Sequence, residues 1–418
     1  LNVEVVNGSL QLGKYNSVSS NAAVASRDAS YTDLDFTSFY DDTNWRITAI
    51  KQNGFRGNTY VTSFVAPDVV TVNQYSLAGL SSLPNMVLSQ NVKTLAAYAF
   101  EKNSLMTNFY PQTMNNITII RTAVFDGCTG LSETLSFPEA TAIENSAFRN
   151  CSNLKGVSVP NVTSIGSQSF RSCSRIVGDV EFPEVKFVGE SSFQYCNKIT
   201  KFSFPNATTV GNNAFYPCTA VTNFYLPKAV SLGNHSFRDC KKLGDITLSA
   251  DISSIGSYAF STCSSLSNIF PRVFDSLSTV NQQCFYNCGS LKGTLSFPNV
   301  TVIGTSAFHS AAVEELILND KITSFGSEAF RNCAFTNIVP QKFPELTSSG
   351  DNAFNGASKL VANFEFPLVK ILRGFRGAAK LQSLKAPNAL SIASEAFKSC
   401  ASLKLVEFSA SLTNISGN

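Results

Sequence analysis

The sequence predicts a solenoid, a mainly β right-handed superhelix of about sixteen 21–25-residue repeats with parallel strands and short helical turns. Two observations lead to this prediction. A phenylalanine, which we call the marker ring, recurs every 21 to 25 residues, and an aliphatic pair precedes it at a fixed offset, as in Val162, Ile165 and Phe170. Such self-similarity is typical of arrays in which each unit buries its apolar edge against its neighbours. The marker positions are Phe55, Leu77, Phe100, Phe125, Phe148, Phe170, Phe193, Phe215, Phe237, Phe260, Phe285, Phe308, Phe330, Phe354, Phe375 and Phe397.

The first part of each repeat predicts a short strand. Leu154, Val157 and Val159 have the spacing L-x-x-V-x-V, and Pro160 closes the run. Since side chains alternate along a strand, both valines point inward and Ser158 lies on the outer face of a parallel sheet. Proline just past the strand stops further pairing. We therefore expect one strand per repeat.

The second part of the repeat predicts a corner and a turn. Val162 and Ile165 point inward from a second extended segment, and Gly166 follows in the same phase as other glycines. Glycine tolerates positive φ, which favours a tight corner here. A short helical turn is expected next, because Phe170 and Cys173 lie three residues apart on one face.

Length and composition limit the domain organisation and the partners. Because no linker interrupts the period, we expect one continuous repeat domain over residues 46–418, preceded by an N-terminal cap at residues 1–45. A net charge of +3 is too small to favour nucleic-acid binding. No stretch approaches the roughly 18 apolar residues of a membrane span. The chain begins at Leu1, so we expect any signal or anchor to lie outside it.

Ten of the eleven cysteines follow a marker ring by three residues. Equal phase predicts a buried ladder of unpaired thiols, and Ala311 in the same place supports a packing role. Asn103 indicates that this place also accepts a polar, hydrogen-bonding group. The remaining cysteine, Cys284, forms C-x-x-x-C with Cys288, but no second ligand pair completes a zinc site.

The sequence contains no recognisable catalytic set. His235 and His309 are the only histidines, and each occupies a variable position next to a marker ring. Asp33, Asp35, Asp41 and Asp42 cluster in the cap, where solvated residues are a better interpretation than a calcium site without EF-hand spacing. We therefore expect no catalytic residue, no cofactor and no bound metal.

Two lines of exposed positions are candidates for ligand recognition, because positions in equal phase become neighbours on adjacent coils. The arginine line directly follows the marker ring and includes Arg149, Arg171, Tyr216 and Arg238. Arg and Tyr are favoured at recognition surfaces, although an ordinary solvated edge is the alternative. The second line is the outer face of the strand, where Tyr225 is the candidate aromatic anchor. The arginine line also contains Arg56, Arg331, Arg376, Lys398, Gln194, Tyr286 and His309.

Three repeats are longer than the others. Their extra residues follow Pro111, Pro271 and Pro340. Insertions at one phase are expected to protrude from one edge of a solenoid, where binding loops commonly lie. Harmless drift of the repeat length is the alternative.

The unit L-x-x-V-x-V-P-x-V-T-x-I-G-x-x-A-F-x-x-C resembles the BspA type of leucine-rich repeat over nearly nine tenths of the chain. It departs from the usual leucine-rich pattern, because Val162 occupies the Asn or Cys position and the cysteine precedes the strand. The resemblance implies a leucine-rich repeat solenoid. That family includes surface proteins implicated in adhesion to host proteins and cells, and similar arrays appear in phage structural proteins.

The leading functional hypothesis is a non-enzymatic binding or adhesion module of a secreted or cell-surface protein. Its partner is expected to be a protein or glycan, from a host matrix or another cell surface. The alternative is a phage tail or virion-associated structural or receptor-binding protein. Neither hypothesis requires a nucleic acid or a membrane span.

Overall fold

The computed structural model describes residues 3–6, 9–12, 32–37 and 46–416. Within these residues the chain is a parallel-strand β-solenoid of about 17 turns, in which no helix is present. The predicted solenoid of parallel strands is confirmed, apart from its short helical turns. The chain divides into two compact units, Leu1–Thr200 and Lys201–Asn418. A continuous domain from 46 to 418 with a cap at 1–45 stays a prediction.

Most coils contribute a longer strand of three to six residues and a second strand that is usually two residues long. The strands of the first unit are β1 (Val3–Val6), β2 (Ser9–Leu12), β3 (Asp33–Asp35), β4 (Ile47–Ile50), β5 (Ser63–Ala66), β6 (Thr71–Val72), β7 (Asn85–Leu88), β8 (Thr94–Leu95), β9 (Asn108–Tyr110), β10 (Ile119–Ile120), β11 (Thr134–Ser136), β12 (Ala142–Ile143), β13 (Gly156–Ser158), β14 (Ser164–Ile165), β15 (Gly178–Glu181) and β16 (Phe187–Val188). The boundary residues belong to β17 (Ile199–Ser203). The strands of the second unit are β18 (Thr209–Val210), β19 (Asn223–Tyr225), β20 (Ser231–Leu232), β21 (Asp245–Thr247), β22 (Ser254–Ile255), β23 (Asn268–Phe270), β24 (Thr279–Val280), β25 (Thr294–Ser296), β26 (Val302–Ile303), β27 (Glu315–Ile317), β28 (Ser324–Phe325), β29 (Asn337–Val339), β30 (Ala362–Glu365), β31 (Ile371–Leu372), β32 (Leu381–Ala386), β33 (Ser391–Ile392), β34 (Leu405–Phe408) and β35 (Asn414–Ile415).

The strands of the first unit pair with their equivalents on adjacent coils. The longer strands β3, β5, β7 and β9 form one parallel sheet, and β11 pairs with β13. The second strands β10, β12, β14 and β16 pair in that order. Strand β1 pairs antiparallel with β2, which continues in parallel through β4, β6 and β8. Parallel pairing follows from the repeat, because every coil presents the same residues in the same phase.

In the second unit the same two columns recur. The longer strands form three parallel series, which are β17, β19, β21 and β23, then β25, β27 and β29, and finally β30, β32 and β34. The registers place Ser203, Tyr225 and Thr247 side by side, and Lys385 opposite Glu407. The prediction that outer-face residues of the strand become neighbours is confirmed for these residues.

The segment around the marker ring bonds to the next coil instead of forming a helix. The Gln168 N–H donates to the Glu190 carbonyl at 2.8 Å, and the Phe170 N–H donates to the Ser192 carbonyl at 2.7 Å. Gln168 and Ser172 have left-handed φ values of 59° and 63°. A right-handed helix needs successive bonds back along its own chain, and left-handed residues interrupt them. The predicted helical turn is therefore replaced by a series of tight turns.

The glycine that precedes this segment is needed for close packing. Gly256 does not have a left-handed φ, so the predicted positive-φ corner is wrong at this position. A Cβ on Gly256 would lie 2.5 Å from the Asn234 nitrogen and 2.5 Å from the Gly233 carbonyl carbon. Any side chain here would overlap the backbone of the preceding coil. Close approach of two backbones thus selects glycine.

The marker rings stack to form the core of each unit. The Phe148 ring is fully buried, and its centroid lies 5.5 Å from that of Phe125 and 5.3 Å from that of Phe170. These pairs are within 9° of parallel, so they stack face to face along the first unit. The stack of the second unit contains Phe215, Phe237, Phe260, Phe285, Phe308, Phe330, Phe354, Phe375 and Phe397.

The three longer repeats place their extra residues in the sheet. Each extra segment follows a cis peptide bond to proline and then forms a parallel bridge with the next longer strand. The prediction of protruding loops is therefore wrong, because backbone pairing with the next strand holds these residues in the sheet. The bridged pairs are Thr113 with Ser136, Val273 with Ser296, and Lys342 with Glu365.

Candidate binding surface

The cysteine ladder lies inside the solenoid and packs as predicted. All eleven cysteines are in the described part of the chain, and no disulfide joins any two of them. The Cys173 thiol donates to the Phe148 carbonyl at 3.0 Å, and the Cys263 thiol donates to the Phe237 carbonyl at 3.1 Å. Each thiol thus satisfies the carbonyl of the marker residue one coil earlier.

Asn103 occupies the same place in its own coil, as the sequence indicates. Its side chain is fully buried. The amide nitrogen donates to the Leu77 carbonyl at 2.9 Å, and the amide oxygen accepts from the Leu80 N–H at 2.8 Å. This residue confirms that the ladder position serves to hydrogen-bond the preceding coil.

Burial keeps the ladder thiols protonated. It raises the pKa of Cys196 and of Cys240 to about 12, and it raises the pKa of Cys173 well above the ordinary value. Burial has the same effect on the pKa of Cys284, which lies outside the ladder. The thiolate is the nucleophile and the metal ligand, so these groups are unreactive near neutral pH. The ladder is therefore structural.

We expect the native protein to resist thiol reagents. In a DTNB assay near neutral pH, Cys400 should react first because it is half-buried, while the other ten thiols are buried and should stay unlabelled. Unfolding in guanidinium should make all eleven reactive. Rapid labelling of several thiols in the native protein would contradict a buried ladder.

The two histidines do not form part of a metal or catalytic cluster. His309 Nδ1 lies 3.4 Å from a Glu328 carboxylate oxygen, and burial lowers the pKa of His309 despite this carboxylate. Within the described residues, no three His, Cys, Asp or Glu side chains are grouped as a metal site requires. The same residues contain no helix with the length and hydropathy of a membrane crossing.

The acidic cluster of the cap is only partly described. Asp41 and Asp42 lie outside the described residues. The Asp35 carboxylate accepts a hydrogen bond from the Thr37 N–H at 2.8 Å, and hydrogen bonds from Thr37 lower the pKa of Asp35. This local turn accounts for Asp35 without a ligand.

Arg149 and Arg171, predicted as ligand contacts, have different surroundings. The Arg149 guanidinium forms a bidentate pair with Asp126, with contacts of 3.0 Å and 2.5 Å, and the Asp126 side chain is only 4% exposed. Hydrogen bonding to Asp126 raises the pKa of Arg149. Arg149 thus joins two coils. The half-buried Arg171 has no ion pair with any described residue.

Tyr216 and Arg238 belong to one cation–aromatic cluster on three successive coils. The Arg238 guanidinium carbon lies 5.5 Å from the Tyr216 ring centroid and 5.7 Å from the Tyr258 centroid. His235 stacks on Tyr258 with centroids 4.6 Å apart. Burial and Arg238 lower the pKa of His235, so this ring is neutral near pH 7. The Arg238 side chain remains 39% exposed.

Tyr225 lies on the longer strand β19 and is therefore separate from the turn segment that contains Arg238. Its side chain is 43% exposed, and its strand neighbours in the second unit are Ser203 and Thr247. Small hydroxyl side chains flank the ring on both sides. Tyr225 therefore has no aromatic neighbour at its position on the two adjacent strands.

Other members of the arginine line also have partners. The Arg56 guanidinium lies 4.1 Å from the Tyr75 ring centroid, and Arg376 pairs with Glu395. These contacts support the alternative of a solvated, self-paired edge for much of the line. Arg238 also has an acidic neighbour, because its Nε lies 3.5 Å from an Asp239 carboxylate oxygen. It differs from Arg56 in that its guanidinium lies near two tyrosine rings instead of one.

A groove between β13 and β15 was not predicted. It has a volume of about 380 Å³. Both strands are fully described, and they do not pair with each other. Val157 and Val180 on these strands are half-buried, whereas Leu135 in the same place on β11 is fully buried. The groove is thus an opening in the outer sheet that reaches the apolar interior.

A spacing irregularity in the sequence marks this groove. Ile176 and Val180 lie four residues apart, whereas Leu154 and Val157 lie three apart. Elsewhere the four-residue spacing follows a longer repeat, whose extra residues bridge to the strand. The repeat before Ile176 has no extra residues, and Gly178 at the start of β15 has a left-handed φ of 81°. The other four-residue spacings are Leu131 to Leu135, Leu291 to Leu295 and Leu360 to Phe364.

Several solved structures resemble this solenoid. A leucine-rich repeat protein from Bacteroides ovatus is 17% identical, covers 90% of this chain and 83% of its own, and gives a TM-score of 0.43. A leucine-rich cell surface protein from Faecalibacterium prausnitzii is 18% identical over 88% of this chain and 84% of its own, with a TM-score of 0.34. The pneumococcal vaccine antigen PcpA is 16% identical over 83% of this chain and 84% of its own, with a TM-score of 0.41.

Sequence comparison identifies the repeats themselves. No curated protein sequence matches the chain. The profile described as "BspA type Leucine rich repeat region (6 copies)" matches residues 48–177, 177–292, 278–372 and 372–418. These matches cover the marker-ring repeats of both units. The chain therefore belongs to the family of BspA type leucine-rich repeat proteins.

Proposed function

We propose that this chain is a non-enzymatic binding module of a secreted or cell-surface protein, and that it recognises a protein or glycan on its repeat surface. The observation that carries the proposal is the cluster of Tyr216, Arg238 and Tyr258. Arginine and tyrosine dominate the energetics of recognition surfaces, because they combine large contact area with directed hydrogen bonds.

The cluster is already ordered before a ligand arrives. Arg238 lies within cation–aromatic distance of two tyrosine rings, and His235 stacks on one of them. An arrangement held by neighbouring coils loses little side-chain entropy on binding. Tyrosine faces and a guanidinium together fit the apolar face and hydroxyl groups of a sugar, or a carboxylate beside an apolar side chain on a protein.

Family membership supports a binding role over catalysis. Leucine-rich repeat solenoids are binding scaffolds. Burial raises the pKa of ladder thiols such as Cys173 and Cys263, which disfavours nucleophilic chemistry at those positions. A secreted or surface location for this chain is part of the proposal. The phage-structural alternative stays a hypothesis.

A glycan and extracellular-matrix array tests the proposal. Arg238→Ala should weaken binding of a captured ligand by roughly tenfold or more, because it removes the central group of the cluster. Arg376→Ala is the matched control, since this arginine belongs to the same line and has an acidic partner, as Arg238 does, but contacts no aromatic ring among the described residues. It should bind within about twofold of the original chain, as is usual for a residue at the rim of a contact.

Equal binding by Arg238→Ala and the original chain would exclude the cluster as the ligand surface. An Arg149→Ala, Arg171→Ala, Arg238→Ala triple variant then tests the remaining candidates of the arginine line. Tyr225→Ala tests the strand face separately. No binding of the original chain to any protein or glycan on the array would contradict the adhesion proposal itself.

A further inference from the structure

We infer that the groove between β13 and β15 is a docking site for an extended peptide segment of a protein partner, which adds a short parallel strand to β15. The segment carries a basic residue followed by a bulky apolar residue. This inference deepens the proposed binding function and rests on it, but it uses a different surface from the Arg238 cluster.

The chain itself shows what fills an equivalent gap. Within each longer repeat, the inserted segment pairs with the next longer strand through two backbone hydrogen bonds. The Glu365 N–H donates to the Gln341 carbonyl at 2.9 Å, and the Phe343 N–H donates to the Glu365 carbonyl at 2.9 Å. The Phe343 side chain is fully buried. The same pair of bonds links Ser136 with Gln112 and Met114, and Ser296 with Arg272 and Phe274.

Glu181 occupies the place of Glu365 in its own repeat. Both residues stand two positions before the strand-closing proline, and both strands show the four-residue spacing. The repeat before β15 has no inserted segment. Both β13 and β15 are fully described, and no backbone hydrogen bond joins them. The edge of β15 is therefore open where the three equivalent strands are paired. Open strand edges are the sites at which extended peptides add to a sheet.

The groove also has room for an apolar side chain. Its floor includes Phe170, Ile176 and Phe193, and its walls include Val157 and Val180. Successive valines at these two places are smaller than the leucine, phenylalanine or isoleucine found there on most other coils. A volume of about 380 Å³ falls within the usual range of small ligand pockets, about 300 to 1,000 Å³. A bulky residue can thus enter as Phe343 does.

Charge indicates the residue that precedes the apolar one. In the filled gap, the Lys342 ammonium lies 2.7 Å from a Glu365 carboxylate oxygen. The rim of the open groove carries Asp179 and Glu181, with Lys155 as the one cation among the residues that line it. Two carboxylates favour a basic residue beside Glu181. The segment Gln341-Lys342-Phe343 is therefore a template for the partner.

A labelled synthetic peptide of residues 338–345, with the sequence IVPQKFPE, is the probe. Fluorescence anisotropy with the whole chain should show saturable binding with a Kd on the order of 100 μM, as expected for a short flexible peptide. Replacing the peptide's phenylalanine with serine should abolish binding, because the groove would then hold a polar side chain.

Charge reversal identifies the site. Glu181→Lys should weaken binding roughly tenfold, and a peptide with glutamate in place of its lysine should restore affinity for this variant. Glu190→Lys is the matched control, because this exposed carboxylate lies on the turn segment, away from the groove. It should change the affinity by less than about twofold, since exposed charges interact weakly.

Val180→Phe blocks the groove without relying on charge. Phenylalanine is the residue found at the equivalent position of the next longer strand, Phe202. The variant should no longer bind the peptide, and its unfolding transition should be retained. Absence of saturable binding by the original chain, or equal binding by Val180→Phe, would overturn the inference. Neither result bears on the Arg238 cluster, whose array test uses different residues.

Discussion

Phe148→Ala should lower the free energy of unfolding by about 3 to 5 kcal/mol, as truncation of a core aromatic does. The ring is fully buried and stacks on the rings of Phe125 and Phe170 at centroid distances of 5.5 Å and 5.3 Å. Its removal therefore leaves a cavity between coils and ends two stacking contacts. In an array each coil packs only on its neighbours, so the loss cannot be shared widely. Equilibrium urea unfolding, followed by circular dichroism, measures the effect.

The same substitution at an exposed phenylalanine is the control. Phe187 on β16 is 45% exposed, so Phe187→Ala should cost less than about 1 kcal/mol, as surface substitutions usually do. Equal losses for the two variants would show that the marker ring is not the core. A loss below about 1 kcal/mol for Phe148→Ala alone would lead to the same conclusion.

Gly256→Ala should destabilise the chain by about 1 to 3 kcal/mol, which is the usual cost of overpacking. The added Cβ would lie 2.5 Å from backbone atoms of Asn234 and Gly233, closer than any van der Waals contact. Flexible side chains can move away from an intruding methyl group, but paired backbone cannot. Two coils must therefore separate locally, which disrupts the hydrogen bond from the Gly256 N–H to the Leu232 carbonyl at 2.9 Å.

A second glycine of the same unit should respond in the opposite direction. A Cβ on Gly244 would meet only the Thr222 carbonyl oxygen at 3.6 Å, which is an ordinary contact. Gly244→Ala should leave stability unchanged or raise it by up to about 1 kcal/mol, because alanine restricts the unfolded chain. Urea unfolding of both variants compares them directly. Similar stability of Gly256→Ala and Gly244→Ala would contradict close packing as the reason for the glycine.

The repeat architecture and its core were readable from sequence because they depend on phase alone. Any residue that recurs at the period lies next to its own equivalent on the adjacent coil. Stacking of Phe148 on Phe125 and the hydrogen bond from Cys173 to the Phe148 carbonyl are both consequences of that rule. Ser203 and Tyr225 likewise become neighbours on the strand face.

Contacts between unlike residues were not readable in the same way. Arg149 and Asp126 occupy two different positions of the repeat. Whether they pair depends on the direction in which each side chain leaves its coil. The role of Gly256 also depends on how closely two backbones approach. Of the five predicted ligand contacts, only Tyr216 and Arg238 come together in the cluster on which the proposed function rests.

By itself, the sequence determined the period, the buried marker ring, the thiol ladder and the strand that each repeat contributes. Each of these features is a local pattern that recurs at the same position of successive repeats. Tertiary structure alone decided the tight turns in place of helices, the close backbone contact at Gly256 and the groove beside β15. The groove follows from one extra residue between Ile176 and Val180, because the preceding repeat has no inserted segment to pair with β15. Whether an extra residue breaks the pairing of strands thus depends on the preceding coil.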